Sequence, residues 1–292
     1  MPSTRDIRRR IKSVKNTAQI TKAMQMVASS KMRKAQLAAL AGRPYAKLMN
    51  QVMGNVVADA AEFSHPLMQK REVRKRAVIL ITTDKGLCGA LNSNITREAG
   101  KLDKNTTVYV CAGKKGAQFI SRAKRNLAAE FTYKDAPLFA EARAISRFAQ
   151  ELFLKGEVDS VEILFTNFVS TLVQKPESKQ FLPIIKLEGV VAGVHGHETS
   201  VALEKSGVEY QFEPGADKVL GELLPHALNF QVYQILLEAK ASEHSSRMVA
   251  MKNATDNAKQ LIKDLTLEYN KLRQANITKE LLEITTAQMA MG

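Results

Sequence analysis

The chain has 292 residues, a formal charge of +14 and a pI near 9.7. Hydrophobic residues make up 45% but aromatics only 6%, with no Trp, a balance that suits long helices better than a β-sandwich. Two cysteines, Cys88 and Cys111, exclude a disulfide framework and fit a reducing compartment, and no apolar run approaches the ~18 residues of a membrane span.

The opening "MPSTRDIRRRIK" is charged throughout and lacks the apolar region of a secretory signal. Ser3 with Asp6 has capping-box form, so a helix is expected from about residue 4. Neither Gly nor Pro intervenes before Gly42. Ile7, Val14, Thr21, Ala28 and Ala35 recur every seven residues, and Ile11, Ala18, Gln25, Met32 and Ala39 take the companion positions. This is a helical seam built from small and polar residues. "AGRPYA" at 41–46 should interrupt it, with helix resuming to about Ala61. The charge excess is concentrated here: residues 1–47 hold twelve Lys/Arg against Asp6 alone, and "KREVRKR" at 70–76 adds five against Glu72. Such a stripe asks for an acidic partner: nucleic acid, anionic lipid or an acidic protein surface.

The middle alternates strand and helix patterns. Strands are expected at 76–82, 106–113 and 158–166, and helices at 92–101, 114–125 and 136–156. That order predicts a small, mostly parallel Rossmann-like α/β domain, with 168–184 as an edge hairpin. Residues 192–207 read as a surface loop and 208–214 as a returning strand. "TTDKGLCGALNSN" (82–94) lacks the GK[ST] of a P-loop and is not GxGxxG, so it reads as a structural βα turn, capped by Asp84 and Lys85. Cys88 in that turn reads as a small packing residue rather than a reactive thiol. His195 and His197, near Glu198, lack the further ligands of a metal site. No local nucleophile–base pair or carboxylate cluster is found, so no catalytic, cofactor-binding or metal residue is assigned.

From Pro225 to Gly292 there is again neither Gly nor Pro. Residues 226–291 as one helix would span about 99 Å at ~1.5 Å per residue. Leu223, Phe230, Leu237, His244, Met251, Ala258, Leu265 and Leu272 fall at seven-residue spacing, with Ala227, Ala241, Met248, Ile262 and Tyr269 as companions. A coiled coil is the expected way to cover such a helix, and the first helix is the expected antiparallel partner. His244 reads as a packed or hydrogen-bonded interface residue. Ser242, Arg247, Asn253 and Asp256 are expected on outer faces. After Glu283, "ITTAQMAMG" carries no charged side chain. The domains are therefore 1–61, a central 75–210, and 215–292 pairing with 1–61.

Three stretches carry a family resemblance that spans the chain. "STRDIRRRIKSVKNTAQITKAMQMVASSKMRKAQ" (3–36), "DKGLCGALNSN" (84–94), and "ASEHSSRMVAMKNATDNA" (241–258) with "YNKLRQANITKELLEI" (269–284) resemble the gamma subunit of F-type ATP synthases. The resemblance implies a rotating central stalk that is not catalytic by itself and needs no cofactor. Its coiled coil would enter a ring of three alpha and three beta subunits. Its α/β domain would sit beside the epsilon subunit and on the membrane c-ring, without inserting into the membrane; no nucleic acid is expected. Lys22, Met24, Arg247, Gln274 and Thr278 match family positions that contact beta. Ile7, Ile11, Val14, Ala18, Leu237, Met248, Met251, Ala258, Leu265 and Leu272 would form the seam. The family's Gly-Ala-rich tail is replaced here by Thr286, Ala287 and Gln288. The 190–210 region has no cysteine pair, so the chloroplast thiol switch is expected to be absent. That points to a bacterial-type chain on the cytoplasmic face of the plasma membrane, or to a mitochondrial one lacking its presequence. The residues by themselves leave two rivals: a basic coiled-coil adaptor for nucleic acid or membrane, and a nucleotide-binding enzyme using the 82–94 turn.

Overall fold

The computed structural model describes residues 3–59, 65–184 and 215–291. The expected end of helix near Ala61, the 192–207 loop with His195, His197 and Glu198, the strand at 208–214 and the cysteine-free window at 190–210 lie outside the described residues or mostly so. The chain divides into two compact units, residues 28–247 and residues up to 27 together with those from 248 onward. The long helices α1 (Thr4–Ala41) and α6 (Ala216–Met291) each contribute to both.

In the larger unit, strands β1 (Arg76–Ile81), β2 (Thr107–Ala112), β3 (Asn126–Phe131), β4 (Ser160–Phe168) and β5 (Gln174–Leu182) form one sheet, ordered β3-β2-β1-β4-β5. The first four are parallel, and β5 returns antiparallel along β4 as an edge hairpin. Helices α3 (Leu91–Lys101), α4 (Lys114–Arg122) and α5 (Phe139–Leu154) supply the crossovers. The two-residue period of the strands sorts the core into two layers. Val78, Leu80, Tyr109, Cys111 and Leu164 pack with Ile95 and Ala99 of α3 and with Ala117 and Ile120 of α4. Ala77, Ile79, Ile81, Val110, Ile163 and Phe165 face the other way, into a core shared with α5 and with α6 residues from Leu224 to Ala239. Central strands covered on both faces explain the unbroken apolar run "AVILI".

One strand differs from the sequence expectation. β3 was hidden because its burial alternates between exposed and partly buried, as suits an edge strand, and "NLAAEF" has no β-branched residue. α6 runs from Ala216 through Pro225 to Met291. A proline crowds the carbonyl four residues back, which here belongs to Gly221, and Leu220, Leu224, Ala227 and Leu228 are fully buried. Their burial outweighs the local penalty. The break between α1 and α2 (Arg43–Asp59) falls at Gly42. A Cβ there would lie 1.8 Å from Gln234 Nε2, so a larger residue would have to displace the end of that side chain. Ala39 packs with Leu237, while Ala35 groups with Ala241 and Phe168. Four residues forward in α1 thus match four back in α6, and the two segments run antiparallel in this unit.

In the smaller unit, Ile7 and Thr21 of α1 are buried, and Ile11, Val14, Ala18, Met24 and Gln25 are partly buried. On α6, Met251, Thr255, Ala258 and Leu265 are buried, and Met248, Ile262, Tyr269 and Leu272 partly so. Thr21 Oγ1 and Thr255 Oγ1 are hydrogen-bonded at 2.7 Å, and Thr255 Oγ1 also donates to Met251 O. Residues 273–289 are exposed all round. Among the described residues, no helix is long and apolar enough to cross a membrane.

Candidate functional site: a polar collar on the C-terminal helix

Residues 240–247 read "KASEHSSR", and Ala241 is the one apolar side chain among them. A surface helix would turn such a stretch to water. Here residues 239–245 are all buried, because the sheet layer and α1 enclose α6. Each polar group must then find a partner or bear its desolvation.

Lys240 and Glu243 have side chains only 3% and 4% exposed, and Lys240 Nζ lies 2.9 Å from Glu243 Oε2. Lys240 Nζ also stands 4.4 Å over the Tyr133 ring and 3.9 Å from Asp135 Oδ1. Tyr133 in turn donates to Thr82 O at the end of β1, 3.1 Å away. Lys31 of α1 donates to the other Asp135 oxygen, and that bond, then the nearby cations Lys240 and Lys31, hold the Asp135 carboxyl below the usual range. On the far side of Glu243, Oε1 pairs with Arg247 NH1 at 2.8 Å. Arg247 also donates to the carbonyl oxygen of Gly86 at 3.2 Å. Three hydroxyls complete the collar: Ser242 donates to Thr166 O at 3.0 Å, Ser245 to Thr171 O at 2.8 Å, and Ser246 to Cys88 O at 2.7 Å. These carbonyls lie on β4, in the β4–β5 turn and in the β1–α3 turn, around the carboxyl ends of two strands.

His244 is buried and its pKa is lowered to about 4, chiefly by burial, with Arg247 and Lys240 adding to the effect and Glu243 and Asp135 opposing it. Its Nδ1 is 3.4 Å from Arg247 NH1, and its Nε2 is 4.0 Å from Asp135 Oδ1. Burial pushes the Cys88 thiol up, and Asn92 donates to its Sγ at 3.3 Å, as a packing residue requires. The 82–94 turn spends its polar groups on bonds within the fold. Asp84 Oδ1 accepts from the Lys114 N–H at the start of α4, and Thr83 Oγ1 donates to Lys85 O. That leaves a structural turn rather than a phosphate cradle.

The remaining sequence-derived residues fall elsewhere. Lys22 is exposed, with Nζ 3.4 Å from Gln25 Oε1. Met24 is partly buried; Gln274 and Thr278 are exposed, and Thr278 donates back to Gln274 O. Asn253 and Asp256 are exposed as read, but Ser242 is fully buried and the Arg247 side chain is only 12% exposed. Those two face inward because the sheet layer occupies the side that the heptad pattern left open. Asp135 and Tyr133 come from a connecting segment and carry no motif or periodicity that would mark them. Lys240, Glu243 and Arg247 did leave a signal: opposite charges three and four residues apart in a stretch whose one apolar side chain is Ala241.

Long terminal helices joined to a five-stranded α/β unit, with the densest chemistry spent on fixing helix to sheet, define a mechanical helix-bearing subunit. The ATP synthase family model matches residues 3–291. The chain is 53% identical to the ATP synthase gamma chain of Opitutus terrae over 99% of each, and 48% identical to that of Methylacidiphilum infernorum over the whole of both. Among solved structures it resembles a chain of the Tetrahymena thermophila mitochondrial ATP synthase central stalk and c-ring, with TM-score 0.60 and 26% identity over 80% of this chain and 99% of that one. A chain of the Euglena gracilis mitochondrial ATP synthase aligns with TM-score 0.68 and 22% identity, over 99% and 94%. The chain belongs to the ATP synthase gamma-chain family. It is a subunit of that complex with no catalytic activity of its own, and the comparisons lend no support to a nucleic-acid or membrane adaptor.

Proposed function

We propose that this chain is the rotating central stalk of an F-type ATP synthase. Ion flow turns a membrane c-ring, the chain turns with it, and its rotation takes three catalytic beta subunits in sequence through their nucleotide states. The full-length match to gamma chains carries the reading. Solved relatives described as central stalk with c-ring, and as F1 with c-ring, support alpha and beta subunits and the c-ring as partners; epsilon beside the α/β domain belongs to the same reading.

Within that reading, residues 1–61 and 215–292 form the coiled coil and 75–210 the α/β domain. Ile7, Ile11, Val14, Ala18, Leu237, Met248, Met251, Ala258, Leu265 and Leu272 are its seam, a role their burial supports. Lys22, Met24, Gln274 and Thr278 meet the beta subunits, with Arg247 as a further contact through the exposed part of its side chain. Exposed Arg5, Arg8, Arg10, Lys12 and Lys15 face acidic beta surface through weak, salt-sensitive contacts suited to sliding. Ile277, Leu281, Leu282, Ile284 and Met289, exposed on α6, turn inside an apolar sleeve in the assembled ring. The site of action is the cytoplasmic face of a bacterial plasma membrane, with the chain held peripherally. Purification of the chain from its native membranes tests the reading: alpha and beta subunits should accompany it stoichiometrically. Recovery of the chain without them would sink it.

A further inference from the structure

We propose that the 240–247 collar is a torsional lock, with Lys240, Glu243 and Arg247 as positioning residues that hold α6 in a single angular setting against the α/β unit. The proposal rests on the rotor reading above and adds a mechanical role for residues buried inside the chain.

The argument starts from the difference between apolar and polar packing. Apolar burial is non-directional, so a helix turned by one residue, about 100°, still finds hydrocarbon around it. Between Ala227 and Ala239 α6 is buried mainly through apolar side chains such as Leu228, Val232, Ile235 and Leu236, with Asn229 adding one directional contact as it accepts from Gln150 at 3.4 Å. In the collar the charged groups and the three serine hydroxyls each have a partner of their own. Lys240 is held towards Tyr133 and Asp135, and Asp135 is itself tied to Lys31 of α1. Arg247 is held towards Gly86, in the β1–α3 turn. Glu243 joins the two through both carboxylate oxygens. Rotation in either sense pulls one end of this chain of ion pairs off its partner and strands a buried charge. Stability alone does not call for charges here, since buried ion pairs are about matched by apolar residues of similar volume. What they add over apolar packing is one preferred register.

The test uses the full chain assembled with its alpha and beta partners. A probe is attached through Lys104→Cys, an exposed position on the α3–β2 loop. With the ring stalled by a non-hydrolysable ATP analogue, the angular spread of the probe reports rotor stiffness. In Lys240→Met/Glu243→Gln the serine hydroxyls remain as the other directional restraint, and the angular variance should broaden about twofold, as halving an angular stiffness does. Lys240→Arg, which keeps the charge, should restore it towards the parent value. ATP hydrolysis by the assembled complex should stay at the parent rate. Should the double variant fail to fold, Ser245→Ala/Ser246→Ala removes two carbonyl-directed hydroxyls and should still broaden the spread. An unchanged spread in an assembled, hydrolysing complex carrying either variant would overturn the lock. Failure of the parent chain to assemble or rotate would instead count against the rotor reading.

Discussion

His244 shows what a single buried group does to the whole fold. Its pKa falls from 6.5 to about 4, mainly through burial, so the folded chain refuses a proton that the unfolded chain accepts between those values. Stability is therefore full above pH 6.5, declines as pH falls towards 4, and levels off below, a loss on the order of 3 kcal/mol. Replacing His244 with Gln should flatten that acid arm in urea midpoints taken from pH 7 to 4. What loss remains should come from carboxyls held low, Asp135 among them, and should set in at lower pH. An unaltered pH profile would mean that His244 is not the group responsible. At this scale the sequence was only half legible. The seven-residue spacing places His244 in a packed position, but it cannot reveal that Ser242 and Arg247 are also enclosed, because their partners Thr166 O and Gly86 O are backbone groups distant in the chain.

At the scale of elements, the strongly periodic segments were readable and the close approaches were not. The heptad pattern of α1 anticipates its buried positions from Ile7 to Ala39, since a 3.5-residue period leaves one narrow stripe covered. The interruption near 41–46 was visible from Gly42 and Pro44, but its tertiary cause was not: Gln234 fills the space beside Gly42. Gly42→Ala should cost about 1 kcal/mol, the low end of overpacking, because the clashing atom is the movable end of the Gln234 side chain. Coupling it with Gln234→Ala should recover part of that loss, because the two changes share one volume. Additive losses in a double-mutant cycle would show that the glycine serves backbone geometry instead. β3 escaped the sequence because it depends on what packs beside it, the rest of the sheet, and local propensity carries no record of that.

At the scale of the molecule, the two units divide the work by chemistry. The larger holds two apolar layers and a polar collar, with α6 enclosed. The smaller presents a cationic face on α1 and, on α6 past Leu272, a helix exposed on every side. Such a bare helix, bearing Ile277, Leu281, Leu282 and Ile284, is intelligible as a part that works inside other subunits. Membership of the gamma-chain family gives that arrangement its purpose. The most direct measurement is rotation itself: the chain, assembled with alpha and beta subunits fixed to a surface, carries a visible probe on its α/β unit while ATP is supplied. The account predicts unidirectional turning in three equal steps per revolution, one for each beta subunit. A complex that hydrolyses ATP while the probe stays still, or that does so equally well without the chain, would contradict it.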